Sequence, residues 1–194
     1  MDLLRRIGIG VLMGAVSGLV VGGIGGRLFM LVLAQLNPDA TGLRSDDGFE
    51  MGRFTASGTI NLLLVTTIIG VIGGLAFLAL RGLRFGPTWF RILSMPAGAT
   101  IVIGSMLVHS DGVDFSLLKP VWLAVAMTLA VPFLYTLLLA WLVDRRLGDE
   151  AGAWRAVPPV VPLLARVALT VLAVVCLVDL MSTVDAILHP FQFS

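Results

Sequence analysis

Apolar positions run along the chain in five long blocks, and polar residues collect in the short stretches between them. The blocks lie at about 7–34, 59–80, 92–108, 121–143 and 161–188. A helix rises 1.5 Å per residue, so about 20 apolar residues cross the roughly 30 Å of hydrocarbon in a bilayer. Each block meets or approaches that length. The third is the shortest and is interrupted by Pro96 and Gly98. The pattern predicts an all-α, polytopic integral membrane protein with five transmembrane helices in a single membrane domain, 1–194.

The first block carries the most distinctive spacing. Gly10, Gly14, Gly18, Gly22 and Gly26 recur every four residues and close on Arg27. In water, each glycine inside a helix costs about 0.5–1 kcal/mol relative to alanine. In lipid, the same spacing lets a second helix backbone approach closely. Gly70 and Gly74 of the second block offer a matching surface, so helix 1 is expected to pack on helix 2. A four-residue step overshoots a 3.6-residue turn by about 40°, so the groove is expected to wind around the helix. A partner crossing right-handed, near −40°, would follow it. The other use of such a ladder is assembly, with helix 1 facing another copy or a partner membrane protein.

Between the first two blocks, 37–58 is the most polar stretch, with an Asp47-Gly48 turn signal and room for a small hairpin. Asn37-Pro38 is expected to end helix 1. Beyond Arg27 the first block stays apolar to Leu36, so this helix either protrudes or bends at Gly25-Gly26. Pro96 and Pro132 fall inside the third and fourth blocks and are expected to kink them. Asp144-Arg145-Arg146 is expected to stand at the end of the fourth.

Composition agrees with a hydrocarbon solvent. Hydrophobic residues are 58% of the chain and charged residues 13%, against roughly 25% charged in an average soluble domain. The formal net charge of +1 leaves no electrostatic footprint for nucleic acid. One cysteine, Cys176, excludes an intrachain disulfide. The first apolar run is too long for a signal-peptide core, so a signal anchor is expected. Arginine supplies nearly all the basic charge, as in a protein of a GC-rich bacterium, which points to the bacterial cytoplasmic (inner) membrane.

Orientation follows from the basic residues. With the N-terminus inside, nine of the 13 lie on the cytoplasmic side: Arg5, Arg6, Arg81, Arg84, Arg91, Arg145, Arg146, Arg155 and Arg166. Arg27, Arg44, Arg53 and Lys119 lie outside, and five spans put the C-terminus outside. The Arg81, Arg84 and Arg91 loop could contact anionic lipid at about 1 kcal/mol per charge, but it needs no partner to explain it.

Two constellations are candidates for chemistry. Arg27 stands at a depth where a carboxylate of the fifth helix can meet it, Asp179 first and Asp185 second. The plainer reading is an arginine that snorkels to headgroups. On the outer side, Asp185 and His189 are four residues apart on one helical face, and His109 ends the third helix. With the Asp46-Asp47 turn they make a candidate divalent-metal site. The plainer reading is a set of interfacial residues left where arginine is excluded. No cofactor is predicted beyond that candidate metal. Catalytic motifs are absent: there is no His-Glu-x-x-His, no phosphate-loop lysine pattern and no Gly-x-Ser-x-Gly. The expected function is that of a non-enzymatic membrane component, engaged in transport or assembly, with the bilayer as first partner. The alternative is a membrane enzyme or metal-binding protein with an outer-face His/Asp site.

Overall fold

The computed structural model describes residues 3–38, 56–109, 119–148 and 157–188, and all that follows concerns these. They form five helices long and apolar enough to cross a membrane: α1 (Leu3–Leu36), α2 (Ala56–Leu83), α3 (Thr88–Leu107), α4 (Val121–Leu147) and α5 (Val160–Leu188). There is no strand among the described residues. Any hairpin between α1 and α2 falls on residues 39–55, outside them. α2 begins at Ala56, so 56–58 are helix rather than loop.

Each element has a local reason for its limits. α1 stops at Leu36 because Pro38 disfavours helix at the residue before it, and Asn37 leaves the helix at φ −130°. The α2 backbone tightens into a 3₁₀ turn, Arg81–Leu83, before Arg84 extends. α3 follows Pro87, whose extended backbone precedes the first helical residue. α4 ends at Gly148, which takes φ +63°, where its N–H donates to Asp144 O at 2.9 Å.

The helices run longer than the apolar blocks. α3 begins at Thr88 rather than about 92, because Phe90 packs on Phe85 and edge-on to Trp89, with centroids 5.3 and 5.7 Å apart. Aromatic packing extends the helix where hydropathy alone stops. α4 continues to Leu147, so Asp144, Arg145 and Arg146 lie within its last turn. There the two arginines complement the helix dipole. Pro96 and Pro132 lie inside α3 and α4, buried, without dividing either helix.

α1 packs along α2 and also meets α4; α3 packs on α4 and α5. α5 joins the bundle chiefly through α3, and only Leu180 of its residues is buried. Two apolar clusters hold the ends. Near one end Met13, Phe77, Leu139, Ala140, Val143 and Leu147 pack together, with Ile9 and Met95 beside them. Near the other, Val108, Ala124, Val125 and Leu180 pack with Leu33 and Val184. Asn37 ties that second end. Its Nδ2 donates to Leu33 O and to Lys119 O, both at 2.9 Å, and its Oδ1 accepts from Lys119 N at 2.7 Å. One amide therefore caps α1 and anchors the entry to α4.

Candidate functional site

Three places in the fold carry the residues of interest: the seam between α1 and α2, the arginine-rich end, and the opposite end with Arg27 and the histidine.

In the seam the two helices run antiparallel, and every four-residue step along α1 is matched by four residues back along α2. A Cβ on Gly10 would stand 3.3 Å from Gly74 O. A Cβ on Gly14 would stand 2.9 Å from Gly74 Cα and closer still to Gly70 O. A Cβ on Gly18 would stand 2.9 Å from Gly70 Cα and closer still to Thr66 O. From the other side, Gly70 and Gly74 have no room for a Cβ either, against Gly14 and Gly10. Backbone meets backbone here, with Cα–H groups directed at carbonyl oxygens, a contact that contributes about 0.5–1 kcal/mol each.

Past Gly18 the step changes. Residues Gly18–Gly25 form a π-helical segment within α1. Hydrogen bonds from i to i+5 take more residues per turn than the α-helix. A four-residue step then falls short of a full turn instead of overshooting it, which offsets the winding expected of the ladder. Gly22 accordingly still faces Thr66, where an added Cβ would stand 3.0 Å from Thr66 Cβ, and Gly23 faces Leu63. Gly26, expected as the ladder's last rung, has nothing within 4 Å of a Cβ and leaves the seam. A mixed α/π step replaces a uniform one, so uniform spacing extrapolates one rung too far.

α4 closes over the seam. Tyr135 donates its hydroxyl proton to Gly70 O at 2.7 Å, and its ring fills the space a side chain at Gly73 would need. Thr66 satisfies its hydroxyl within α2, on Leu62 O at 2.8 Å, which leaves its methyl group toward Gly22. Ser17 is wholly buried at the start of the π segment, and its Oγ has no hydrogen-bond partner among the described residues.

The arginine-rich end is built around Asp144. Arg84 donates from Nη1 to Asp144 Oδ2 at 2.7 Å and from Nη2 to Oδ1 at 2.8 Å, a two-bond fork. Arg81 Nη2 lies 3.5 Å from Asp144 Oδ1 and also donates to Gly148 O. The side chains of Arg81 and Arg84 are 5% and 6% exposed, and that of Asp144 is 35% exposed. Two arginines that the sequence leaves free to contact lipid thus turn inward and join α2 to α4. Phe77 lies under Arg84, 5.6 Å from its guanidinium carbon. On α5, Arg166 donates from Nε to Leu83 O at 3.0 Å.

At the opposite end Arg27 is 9% exposed in α1, with Nη1 at 4.0 Å from Met30 Sδ. Asp179 and Asp185 are both exposed on α5. Asp179 makes no ion pair among the described residues, so Arg27 and Asp179 are not brought together. Equal depth along two helices does not place two side chains on facing sides, and α5 meets the bundle mainly through α3. His109 is exposed, with Nδ1 3.3 Å from Leu107 O. His189 lies outside the described residues. Among the described residues no three His, Cys, Asp or Glu side chains gather as metal ligands would.

The residues brought together are therefore the glycines of α1 and α2 with Tyr135, and Arg81 and Arg84 with Asp144. The first set sets the distance between backbones, and the second fixes charge at one end. Neither arrangement pairs a nucleophile with a base. Compared with protein-family models, with curated proteins and with solved structures, the chain matches none.

Proposed function

We propose that the chain is an integral membrane protein that crosses the bacterial cytoplasmic membrane five times, with its N-terminus inside and its C-terminus outside. It works as a non-enzymatic component, in transport or in assembly, built on close helix packing. The observation that carries this reading is the extent of apolar surface. On α5, Val171, Leu172, Val174, Val175, Leu177 and Val178 are all exposed. Successive residues are 100° apart on a helix, so these positions spread over about 220° of the helix surface, wider than one stripe. No single partner helix covers such a surface, but hydrocarbon does. On α2, Ile60, Leu64, Ile68, Ile69 and Ile72 are exposed along one broad face.

The orientation draws support from the fold. The alternating helices gather Arg81, Arg84, Arg145, Arg146 and Arg166 at one end, and Arg27 and Lys119 lie toward the other. Packing of α1 on α2 through glycine is the adhesive this reading needs, since burial of apolar surface offers little between helices already in lipid.

Two measurements test it. The protein should resist alkaline carbonate extraction from membranes, and a C-terminal reporter active only outside the cytoplasm should be active. Release by carbonate, or activity of a cytoplasm-only reporter at the C-terminus, would overturn it. Elemental analysis of protein purified in mild detergent tests the rival chemistry. Stoichiometric metal that is lost on changing His109 and His189 would replace this reading with a metal-binding one.

A further inference from the structure

We propose that Arg166, with the aromatic turn 85–90, binds the phosphate of an anionic phospholipid at the arginine-rich end of the bundle. The proposal rests on the five-span reading above. Arg166 is the one charged residue in the early turns of α5, six residues after Val160, or about 9 Å along the axis. It is half-buried, and two contacts fix its orientation. Nε donates to Leu83 O at 3.0 Å, and the guanidinium carbon stands 5.1 Å from the centre of the Phe85 ring.

Those contacts use one of the five N–H groups of the fork. The two terminal nitrogens meet no acceptor and no carboxylate among the described residues. Asp144, the carboxylate described at this end, already accepts from Arg84 at both oxygens. A guanidinium does not lose its proton in a protein, so an anion from outside would pair a charge that no described carboxylate meets. A phosphate diester presents two oxygens to such a fork and accepts parallel bonds from it.

The surroundings select a lipid over a free ion. Phe85 and Trp89 are 51% and 65% exposed beside the site, as aromatic rings are where headgroups begin. Below Arg166, toward the bilayer centre, α5 exposes Val167, Leu169 and Val171, a surface for acyl chains. A zwitterionic lipid also carries a phosphate, but its own ammonium competes for that charge, so an anionic headgroup is favoured.

Native mass spectrometry of the full chain in mild detergent, titrated with phosphatidylglycerol, phosphatidylcholine or inorganic phosphate, tests this. The intact protein should retain phosphatidylglycerol in preference to phosphatidylcholine. Arg166→Gln should weaken that binding about fivefold, the effect of one basic residue near a headgroup. Arg166→Lys, which keeps the charge and guards against a folding defect, should weaken it by less. Arg146→Gln, at an exposed arginine of the same end, should weaken it by less than Arg166→Gln does. Equal retention of the two lipids, or wild-type binding by both Arg166 variants, would overturn the proposal. Inorganic phosphate that binds as tightly and displaces the lipid would also overturn it, in favour of a free-ion site. Absence of lipid preference in the wild-type protein, when that protein still resists carbonate, would refute this site alone. Release by carbonate would refute the membrane reading itself.

Discussion

Adding one methyl group at Gly14 separates the seam from an ordinary helix contact. The new carbon would lie 2.9 Å from Gly74 Cα and nearer still to Gly70 O. Non-bonded carbons settle at about 3.5–4.0 Å, so α1 and α2 would have to part by roughly 0.5–1 Å. Neither obstacle is a flexible side-chain end; both are backbone of α2. Overpacking of this kind costs typically 1–3 kcal/mol, and the better helix propensity of alanine returns about 0.5–1 kcal/mol. Gly14→Ala should therefore lose about 1–2 kcal/mol. Gly26→Ala is the matched control, because nothing lies within 4 Å of its Cβ position. It should be neutral or gain up to about 1 kcal/mol. The pair should differ by about 2 kcal/mol in SDS-induced unfolding from mixed micelles, followed by circular dichroism. Gly14→Ala as stable as wild type, with Gly26→Ala the weaker of the two, would refute the reasoning and place the contact on another face of α1.

Four further outcomes follow from the same contacts. Asp144→Asn leaves the 6%-exposed Arg84 side chain without its carboxylate; a buried pair broken this way loses about 3–5 kcal/mol, and the partial exposure of Asp144 lowers this to about 1–3 kcal/mol in the same unfolding assay. Tyr135→Phe removes the hydroxyl on Gly70 O and should cost about 1 kcal/mol, while Gly73→Ala, whose Cβ meets the Tyr135 ring, should cost more. Asn37→Ala loses the cap on α1 and both bonds to Lys119, for about 1–2 kcal/mol, and should raise amide exchange at the end of α1 first. Arg27→Ala and Asp179→Ala should add within about 0.5 kcal/mol when combined; a coupling above about 1 kcal/mol would establish an Arg27–Asp179 interaction.

The long apolar blocks made the five helices legible, because length and polarity alone decide whether a segment is fit to cross hydrocarbon. The ends of those helices were less so. Phe90 extends α3 by packing on Phe85 and on Trp89, a contact that no hydropathy window contains. The four-residue glycine period was visible, but its use assumed one helical geometry throughout. The π segment violates that assumption, so Gly26 was counted in and Gly23 was not. Arg84 and Asp144 are 60 residues apart and each borders a loop, so nothing in their spacing pairs them. Only the antiparallel arrangement of α2 and α4 makes them neighbours. Tyr135 lies three residues from Pro132, yet its partner is a backbone carbonyl on α2, and a carbonyl has no letter in the sequence.

The seam has a consequence for how α1 finds its place. Gly10, Gly14 and Gly18 face Gly74, Gly70 and Thr66 with a common four-residue interval on both helices. Displacing α1 by one interval, about 6 Å, would set Gly14 fully against Gly74 and Gly18 fully against Gly70. A surface that repeats carries no address, and the smooth glycine track alone gives nearly equal energies to neighbouring positions. Discrimination must come from the parts that do not repeat. Those are the π segment, which breaks the interval, the Tyr135 hydroxyl on Gly70, and the clamps at the two ends, Asn37 on Lys119 and Arg84 on Asp144. The irregular features of the chain thus choose one alignment among several that its most regular feature allows.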